Sequence, residues 1–191
     1  MTEEKGGVGR RPISVMTNQS LSCIEENLWP RGERRDIWMI MDGARDRTIF
    51  PILLECRLQY SCLYSGFLPP ALEIAAPYLV QLEYQDKYTR RILERAWGNS
   101  WGIFLKCDLN LDQLRRHLRQ FLVVRDPRGS RLVFRYYDPR VLRVYLPTCN
   151  REELRAVFGP IERFWMEDET PNTIFEAAFD QMRLRQWRLP I

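Results

Sequence analysis

Apolar and polar positions follow two periods along the chain, which predicts strands interspersed with helices. Residues 37–41 are apolar throughout, as expected of a strand that is covered on both faces. Residues 101–107 alternate, yet both faces are largely apolar, which indicates a central strand. Further strands are predicted at 60–64, 78–84, 161–166 and 173–179, the last of them at a sheet edge. The final residues, 180–191, fit neither period clearly.

Apolar residues at three- and four-residue spacing predict the helices, and capping residues mark their starts. Asn110 with Gln113, and Asn150 with Glu153, have the spacing of a capping box, in which side chains satisfy the free amides of the first turn. Helices are predicted over about 20–29, from about residue 50, over 70–75, and after Asp86, Asn110, Asp138 and Asn150.

The order of these elements predicts the fold class. Strands alternate with helices early in the chain, and the turn sequence 126–129 then predicts an antiparallel hairpin near 122–137. This order favours an α/β or α+β layered domain with a mixed β-sheet and flanking helices. Residues 1–18 are expected to be a flexible tail. Residues 19–191 are expected to form one domain, with two small lobes at about 19–108 and 109–191.

Composition narrows the class of protein further. The 191 residues are 45% apolar and 28% charged, which is typical of a globular chain. No apolar run reaches the roughly 20 residues that span a bilayer, and the first residues lack the apolar region of a secretory signal. Five cysteines without a Cys-x-x-Cys pair favour reduced thiols. The sequence therefore predicts a cytoplasmic protein without a membrane segment.

Arginine dominates the basic residues, supplying 26 of the 29. Residues 110–163 carry a net charge of +6 within a whole-chain charge of +4. Arg115, Arg116 and Arg119 share one predicted helical face, which could contact a polar partner, follow nucleic-acid phosphates or simply be solvated. Trp97 and Trp101 flank a turn, either as an exposed binding site or as core aromatics.

Few residues suggest catalytic chemistry. His117 is the only histidine and is expected to be a solvated side chain on a helix. Asp42, Arg45 and Asp46 follow a buried strand, a place where open α/β sheets bind ligands. The two carboxylates could serve a hydrolase or nuclease as acid and base. In the structural alternative, Asp42 fits the turn, Asp46 helps to start a helix and Arg45 pairs with either of them.

A series of short motifs carries a family resemblance. In chain order they are Met41-Asp42-Gly43-Ala44-Arg45-Asp46, Tyr64-Ser65-Gly66, Ala76-Pro77-Tyr78-Leu79-Val80, Trp97-Gly98-Asn99-Ser100-Trp101-Gly102, Leu114-Arg115-Arg116-His117-Leu118-Arg119, Phe134-Arg135-Tyr136-Tyr137-Asp138-Pro139-Arg140-Val141-Leu142, Leu146-Pro147 and Phe158-Gly159-Pro160. Together, over roughly residues 36–170, they resemble the adaptor and chaperone family of bacterial type VI secretion.

The resemblance implies a protein that is not an enzyme and has no catalytic residue, metal or cofactor. Such adaptors bind a toxic effector in the cytoplasm and load it onto the valine-glycine-repeat (VgrG) spike protein. The expected partners are therefore an effector and a spike protein, with neither nucleic acid nor membrane. Candidate partner-binding residues are Arg115, Arg116, Arg119, Trp97 and Trp101. Residues expected to cap helices and join the lobes are Asp42, Arg45, Asp138 and Arg140.

Overall fold

The computed structural model describes residues 16–30, 36–126 and 128–191. The tail expected over 1–18 lies mostly outside these residues, and the first helix already begins at Asn18, with the Thr17 side chain accepting from the Ser20 amide. The helices are α1 (Asn18–Leu28), α2 (Ile49–Glu55), α3 (Pro70–Ile74), α4 (Lys87–Ala96), α5 (Leu111–Arg119), α6 (Pro139–Tyr145) and α7 (Arg151–Phe158). A short 3₁₀ turn, Leu146–Thr148, follows α6.

Nine strands form two sheets in the described part of the chain. The strands are β1 (Ile37–Asp42), β2 (Tyr60–Cys62), β3 (Pro77–Leu82), β4 (Gly102–Lys106), β5 (Val123–Arg125), β6 (Arg131–Val133), β7 (Arg163–Glu167), β8 (Thr173–Asp180) and β9 (Arg183–Pro190). Seven of them form a sheet in the order β2-β3-β1-β4-β7-β8-β9, and β5 pairs with β6 alone. All pairings between these strands are antiparallel. The predicted α+β class is confirmed, and the parallel pairs that a mixed sheet would add do not occur among the described strands.

Helices cover both faces of the large sheet. α1, α2 and α4 bury their apolar sides on one face, against Met39 and Met41 of β1. α5, α6 and α7 pack on the other face, against Trp38 and Ile40 of the same strand. β1 is therefore buried at all six positions, as its apolar run predicted. The segments proposed as lobes, 19–108 and 109–191, supply opposite helical layers of one continuous sheet, because β4 pairs with β7.

The capping residues begin the helices where the sequence placed them. Asp86 accepts from the amides of Tyr88 and Thr89 at the start of α4. Both predicted capping boxes are present, at the starts of α5 and α7. These bonds satisfy donors that a helix cannot satisfy internally, so each cap sets the residue at which its helix begins.

The C-terminal strands differ from the sequence prediction. Residues 173–179 were predicted as an edge strand, but β8 pairs with both β7 and β9. β9 is the edge, and it occupies residues for which the sequence gives no clear period. A two-residue turn joins β8 to β9, with Gln181 and Met182 at φ 47° and 64°. Neither residue is the glycine or asparagine that normally marks such a turn, so the hairpin has no local sequence signature.

Gly102 permits the close approach of β4 to β1. A Cβ atom built on Gly102 would lie 1.8 Å from the carbonyl oxygen of Ile40. Two backbones in the centre of the sheet would have to separate to admit it.

We expect Gly102→Ala to lower the free energy of unfolding by roughly 2–3 kcal/mol, since it overpacks a rigid backbone contact. Gly98→Ala is the control, because nothing lies within 4 Å of its added Cβ and only the positive φ opposes it. That strain costs about 1 kcal/mol. Urea unfolding followed by circular dichroism measures both values, and equal losses would contradict the close-approach argument.

Candidate partner-binding site

A buried carboxylate lies at the end of β1, where three of the motif segments meet. Asp42 is 1% exposed, and one of its oxygens accepts from the Ala44 amide at 3.2 Å. The other oxygen forms an ion pair with Arg135. The Asp42 amide donates to the Trp101 carbonyl at 2.7 Å. Asp42 thus connects the turn after β1, the turn before β4 and the segment that leads into α6.

Asp138 and Arg140 form a local pair at the start of α6. The Asp138 carboxylate accepts from the Arg140 amide at 3.0 Å and from the Arg140 Nε at 2.9 Å. Burial acts to raise the pKa of Asp138, but the hydrogen bonds and charge of Arg140 outweigh it and lower the pKa below its usual value. The pair therefore stabilises an ionised helix cap.

Arg45 and Asp46 do not join Asp42. The Arg45 guanidinium donates to the Asn99 carbonyl at 3.2 Å, so the expected pairing with Asp42 or Asp46 is not what the structure shows. Asp46 accepts from the amide and the hydroxyl of Thr48, both at 2.8 Å, at the start of α2. The Asp42 and Asp46 carboxylates therefore each accept hydrogen bonds within their own turn.

Glu167 completes this end of the sheet, although none of the motifs described above contains it. Its carboxylate accepts from the Ser100 amide at 2.9 Å. Burial raises its pKa to about 7, although bonds from the Ser100 and Gly98 amides and the charges of Arg45 and Arg143 act to lower it. Glu167 thus attaches the end of β7 to the turn that precedes β4.

The predicted arginine face is not uniform. Arg115 donates from Nε to the Cys62 carbonyl at 2.6 Å and from Nη2 to the Tyr64 carbonyl at 2.8 Å. Arg116 is exposed and donates to the Asp112 carbonyl of its own helix, at 3.3 Å. Arg119 is half-buried. Arg115 therefore contributes to the fold, whereas Arg116 is open to solvent.

The prediction that His117 is a solvated side chain is wrong. Its Nε2 lies 3.1 Å from the Val157 carbonyl, and its ring packs against Gly159 and, edge-on, against Phe121. Burial lowers its pKa, so the imidazole is neutral near pH 7. The sequence could not show this, because α7 supplies two of these contacts from 40 residues further along the chain.

The two tryptophans of the turn have different surroundings. Trp101 is buried in the core on the α1 side of the sheet. Trp97 is half-buried and stacks on Phe104, with ring centroids 6.1 Å apart. For Trp101 the core interpretation holds.

The β5–β6 hairpin exposes apolar side chains to solvent. Four of its six strand residues are apolar with side chains 39–63% exposed: Val123, Val124, Leu132 and Val133. The register pairs Val123 with Val133 and Val124 with Leu132, so an apolar pair lies on each face of the ribbon. The third pair is Arg125 with Arg131, two like charges directly opposite each other. The turn sequence predicted this hairpin but not its exposure.

The hairpin is held by its turn and its base rather than by a covering layer. One oxygen of Asp126 accepts from the amides of Arg128 and Ser130, at 2.9 and 2.8 Å. At the base, the Phe134 amide donates to the Leu122 carbonyl. A two-stranded ribbon has little stability of its own in water, so an apolar ribbon with both faces open suits contact with another molecule.

Two absences are specific to the described residues. They contain no cluster of three or more His, Cys, Asp or Glu side chains that could hold a metal ion. Within the same residues, no helix has the length and hydrophobicity needed to cross a membrane.

The fold and the site together define an α+β protein with one antiparallel sheet between two helical layers and an uncovered apolar hairpin. Residues 37–156, more than half of the chain, match the model of a family described as a domain of unknown function (DUF4123), and the chain belongs to that family. No curated protein and no solved structure matches it. The matched segment includes Asp42, the Trp97–Gly102 turn, α5 and the hairpin, but not Glu167 or β9.

Arg115 and Arg116 provide a matched pair of substitutions. Arg115→Gln removes two charge-assisted hydrogen bonds to backbone carbonyls, so we expect it to lower the free energy of unfolding by about 1–3 kcal/mol. We expect Arg116→Gln to change it by less than about 0.5 kcal/mol. Urea unfolding curves measure both, and equal effects would contradict the structural role given to Arg115.

Glu167→Gln tests the half-buried carboxyl of Glu167. The raised pKa means that the folded protein binds a proton more tightly than the unfolded chain. This contribution is fully present below pH 4.5 and is lost as the pH rises through about 7. We therefore expect the stability of the natural protein, relative to Glu167→Gln, to fall by up to about 3 kcal/mol between about pH 5 and about pH 8.

The glutamine keeps an oxygen for the Ser100 amide, so the variant preserves the contact and removes only the titration. Unfolding free energies at several pH values measure the difference. Parallel pH profiles for the two proteins would contradict the assignment.

Proposed function

We propose that this protein is a cytoplasmic adaptor that binds an effector toxin of a type VI secretion system and loads it onto the VgrG spike protein, without catalysing a reaction. The sequence motifs resemble such adaptors, and family membership supports the resemblance at the level of the domain. The single observation that carries the proposal is the β5–β6 hairpin, which exposes apolar side chains on both faces.

The hairpin has the composition of a protein-binding element. Burying its four apolar side chains against a partner would gain free energy at about 25 cal/mol per Å² of apolar surface. The opposed Arg125 and Arg131 side chains repel each other in the free protein. An acidic group on a partner would remove that repulsion and would also steer the association.

An adaptor needs a second surface for its second partner, and the loop after β2 offers one. Phe67 is 94% exposed, and Leu72 and Ile74 of α3 are also exposed. None of the five residues of α3 is buried. Arg115 supports this loop through its bonds to the Cys62 and Tyr64 carbonyls, so the exposed Phe67 extends from an anchored segment.

The two alternative functions gain no support from the geometry. A hydrolase or nuclease based on Asp42 and Asp46 would need carboxylates that converge, but each one holds its own turn. A nucleic-acid site on the arginine face would need Arg115, whose guanidinium is bound to two carbonyls.

Genetics and co-purification test the proposal together. The toxin encoded beside this gene should co-purify with the protein, and deletion of the gene should stop delivery of that toxin only. Unchanged delivery in the deletion strain would overturn the proposal.

Substitutions in the hairpin test the surface. We expect the double variant Val124→Thr/Leu132→Ser to weaken capture of the neighbouring toxin or spike protein at least about tenfold, because one apolar pair is lost from a binding centre. Val144→Thr, on α6, is the control, since Val144 is even more exposed than Val124 and Leu132 but lies outside the hairpin. Circular dichroism checks that both variants fold, and equal capture by the two would contradict a binding role for the hairpin.

A further inference from the structure

The two edges of the large sheet differ in whether their outward backbone groups have partners. At one edge, the three residues of β2 pair with β3, and the outward carbonyls of Cys62 and Tyr64 accept from Arg115. The Arg115 guanidinium therefore takes the place that a further strand would occupy. At the other edge, β9 runs for eight residues and pairs only with β8.

The backbone groups that face outward from β9 follow from its register. The Ile191 amide donates to the Asn172 carbonyl, so residues 183, 185, 187 and 189 direct their backbone groups toward β8. Leu184, Gln186 and Arg188 direct theirs away from the sheet, and within the described residues these groups have no strand partner. Pro190 has no amide, and its carbonyl receives the Cys23 thiol at 3.6 Å, which covers the C-terminal end of the edge.

The side chains of β9 show what could pair there. Arg183, Arg185 and Trp187 project from one face of the strand, and all three are exposed. Arg183 and Arg185 form no ion pair with the described residues, whereas Arg188 donates to Asp168 at 2.9 Å. Trp187 is 41% exposed and lies under the Arg163 guanidinium. The open edge therefore carries two arginines that form no ion pair among the described residues, beside an exposed aromatic ring; the nearest acidic neighbour in the register is Asp180, opposite Arg183.

Charge selects among the possible occupants. β9 contains three arginines and no acidic residue, so a second copy would bring only further positive charge to this edge. An extended segment with acidic side chains at alternate positions would place carboxylates beside Arg183 and Arg185. It would also supply backbone partners for Leu184, Gln186 and Arg188.

We propose that β9 binds an extended acidic segment of a partner protein as an eighth strand of the sheet. This inference rests on the proposed adaptor function for the identity of the partner, but not for the chemistry of the edge. The match to the family ends at residue 156, so β9 lies outside the matched domain. A surface that recognises one particular partner suits that position.

Hydrogen exchange with synthetic peptides tests the edge directly, using the full chain. The probe is an octapeptide of alternating Val and Glu, compared with one of alternating Val and Lys. We expect the acidic peptide to slow hydrogen exchange of the Leu184, Gln186 and Arg188 amides at least about tenfold, and the basic peptide to slow it little. High salt should weaken the effect of the acidic peptide, because it screens the charges. Unchanged exchange of these amides would overturn the proposal.

Two variants separate the contribution of backbone hydrogen bonds to peptide binding from the contribution of charge. Gln186→Pro removes one outward amide and leaves the bonds to β8, so it should abolish binding of the acidic peptide, whereas Gln186→Thr should keep it. Arg183→Glu/Arg185→Glu keeps every amide and should reverse the preference toward the basic peptide. An unreversed preference would overturn the charge argument, even if Gln186→Pro also disturbs the fold. If the natural protein forms a dimer that Gln186→Pro abolishes, then a second copy of the chain occupies the edge, and the choice of an acidic partner segment is overturned.

The partner itself is tested with the toxin encoded by the neighbouring gene. If the natural protein captures the toxin and Gln186→Pro captures it equally well, the edge proposal fails and the adaptor function stands. If the natural protein captures neither toxin nor spike protein, the adaptor function fails, and the peptide experiment alone decides whether β9 accepts an acidic strand.

Discussion

The ion pair between Asp42 and Arg135 joins the two halves of the chain at one end of the large sheet. A carboxylate that is removed from water is stable only when it is paired and hydrogen-bonded, and Asp42 has both a guanidinium and a backbone amide. The pair joins residues that are 93 positions apart, one at the end of a central strand and the other just before α6. It therefore attaches the helical layer formed by the second half of the chain to the strand on which the first layer is built.

The same end of the sheet shows how polar groups can serve architecture rather than chemistry. Glu167 attaches β7 to the turn before β4, Asp138 caps α6, and Asp46 begins α2. Each carboxylate satisfies amides that the local backbone leaves without partners. The groups left open to solvent lie elsewhere among the described residues. Apolar side chains are exposed on the β5–β6 hairpin and on the loop that carries Phe67, and backbone groups are exposed along β9.

The sequence was sufficient for elements whose causes are local. The apolar run of β1 predicted a strand buried on both faces, and the capping boxes at Asn110 and Asn150 predicted where α5 and α7 begin. It was insufficient where the cause lies across the fold. His117 is half-buried against residues of α7, and β9 is recognisable as a strand only through its pairing with β8.

The arginines, which dominate the basic residues of this chain, fall into two groups with different roles. Arg115, Arg135 and Arg143 direct their guanidinium groups inward, to carbonyls or carboxylates, where the planar fork suits several acceptors at once. Arg125 and Arg131 of the hairpin, and Arg183 and Arg185 of β9, are instead exposed, beside exposed apolar or aromatic residues. The net charge of residues 110–163 therefore overstates the basic surface that a partner meets. Charge on such a surface acts mainly on the rate and selectivity of association. Under the proposed adaptor function, the exposed arginines would therefore select the partner, and the exposed valines, leucine and backbone edge would supply the contacts that hold it.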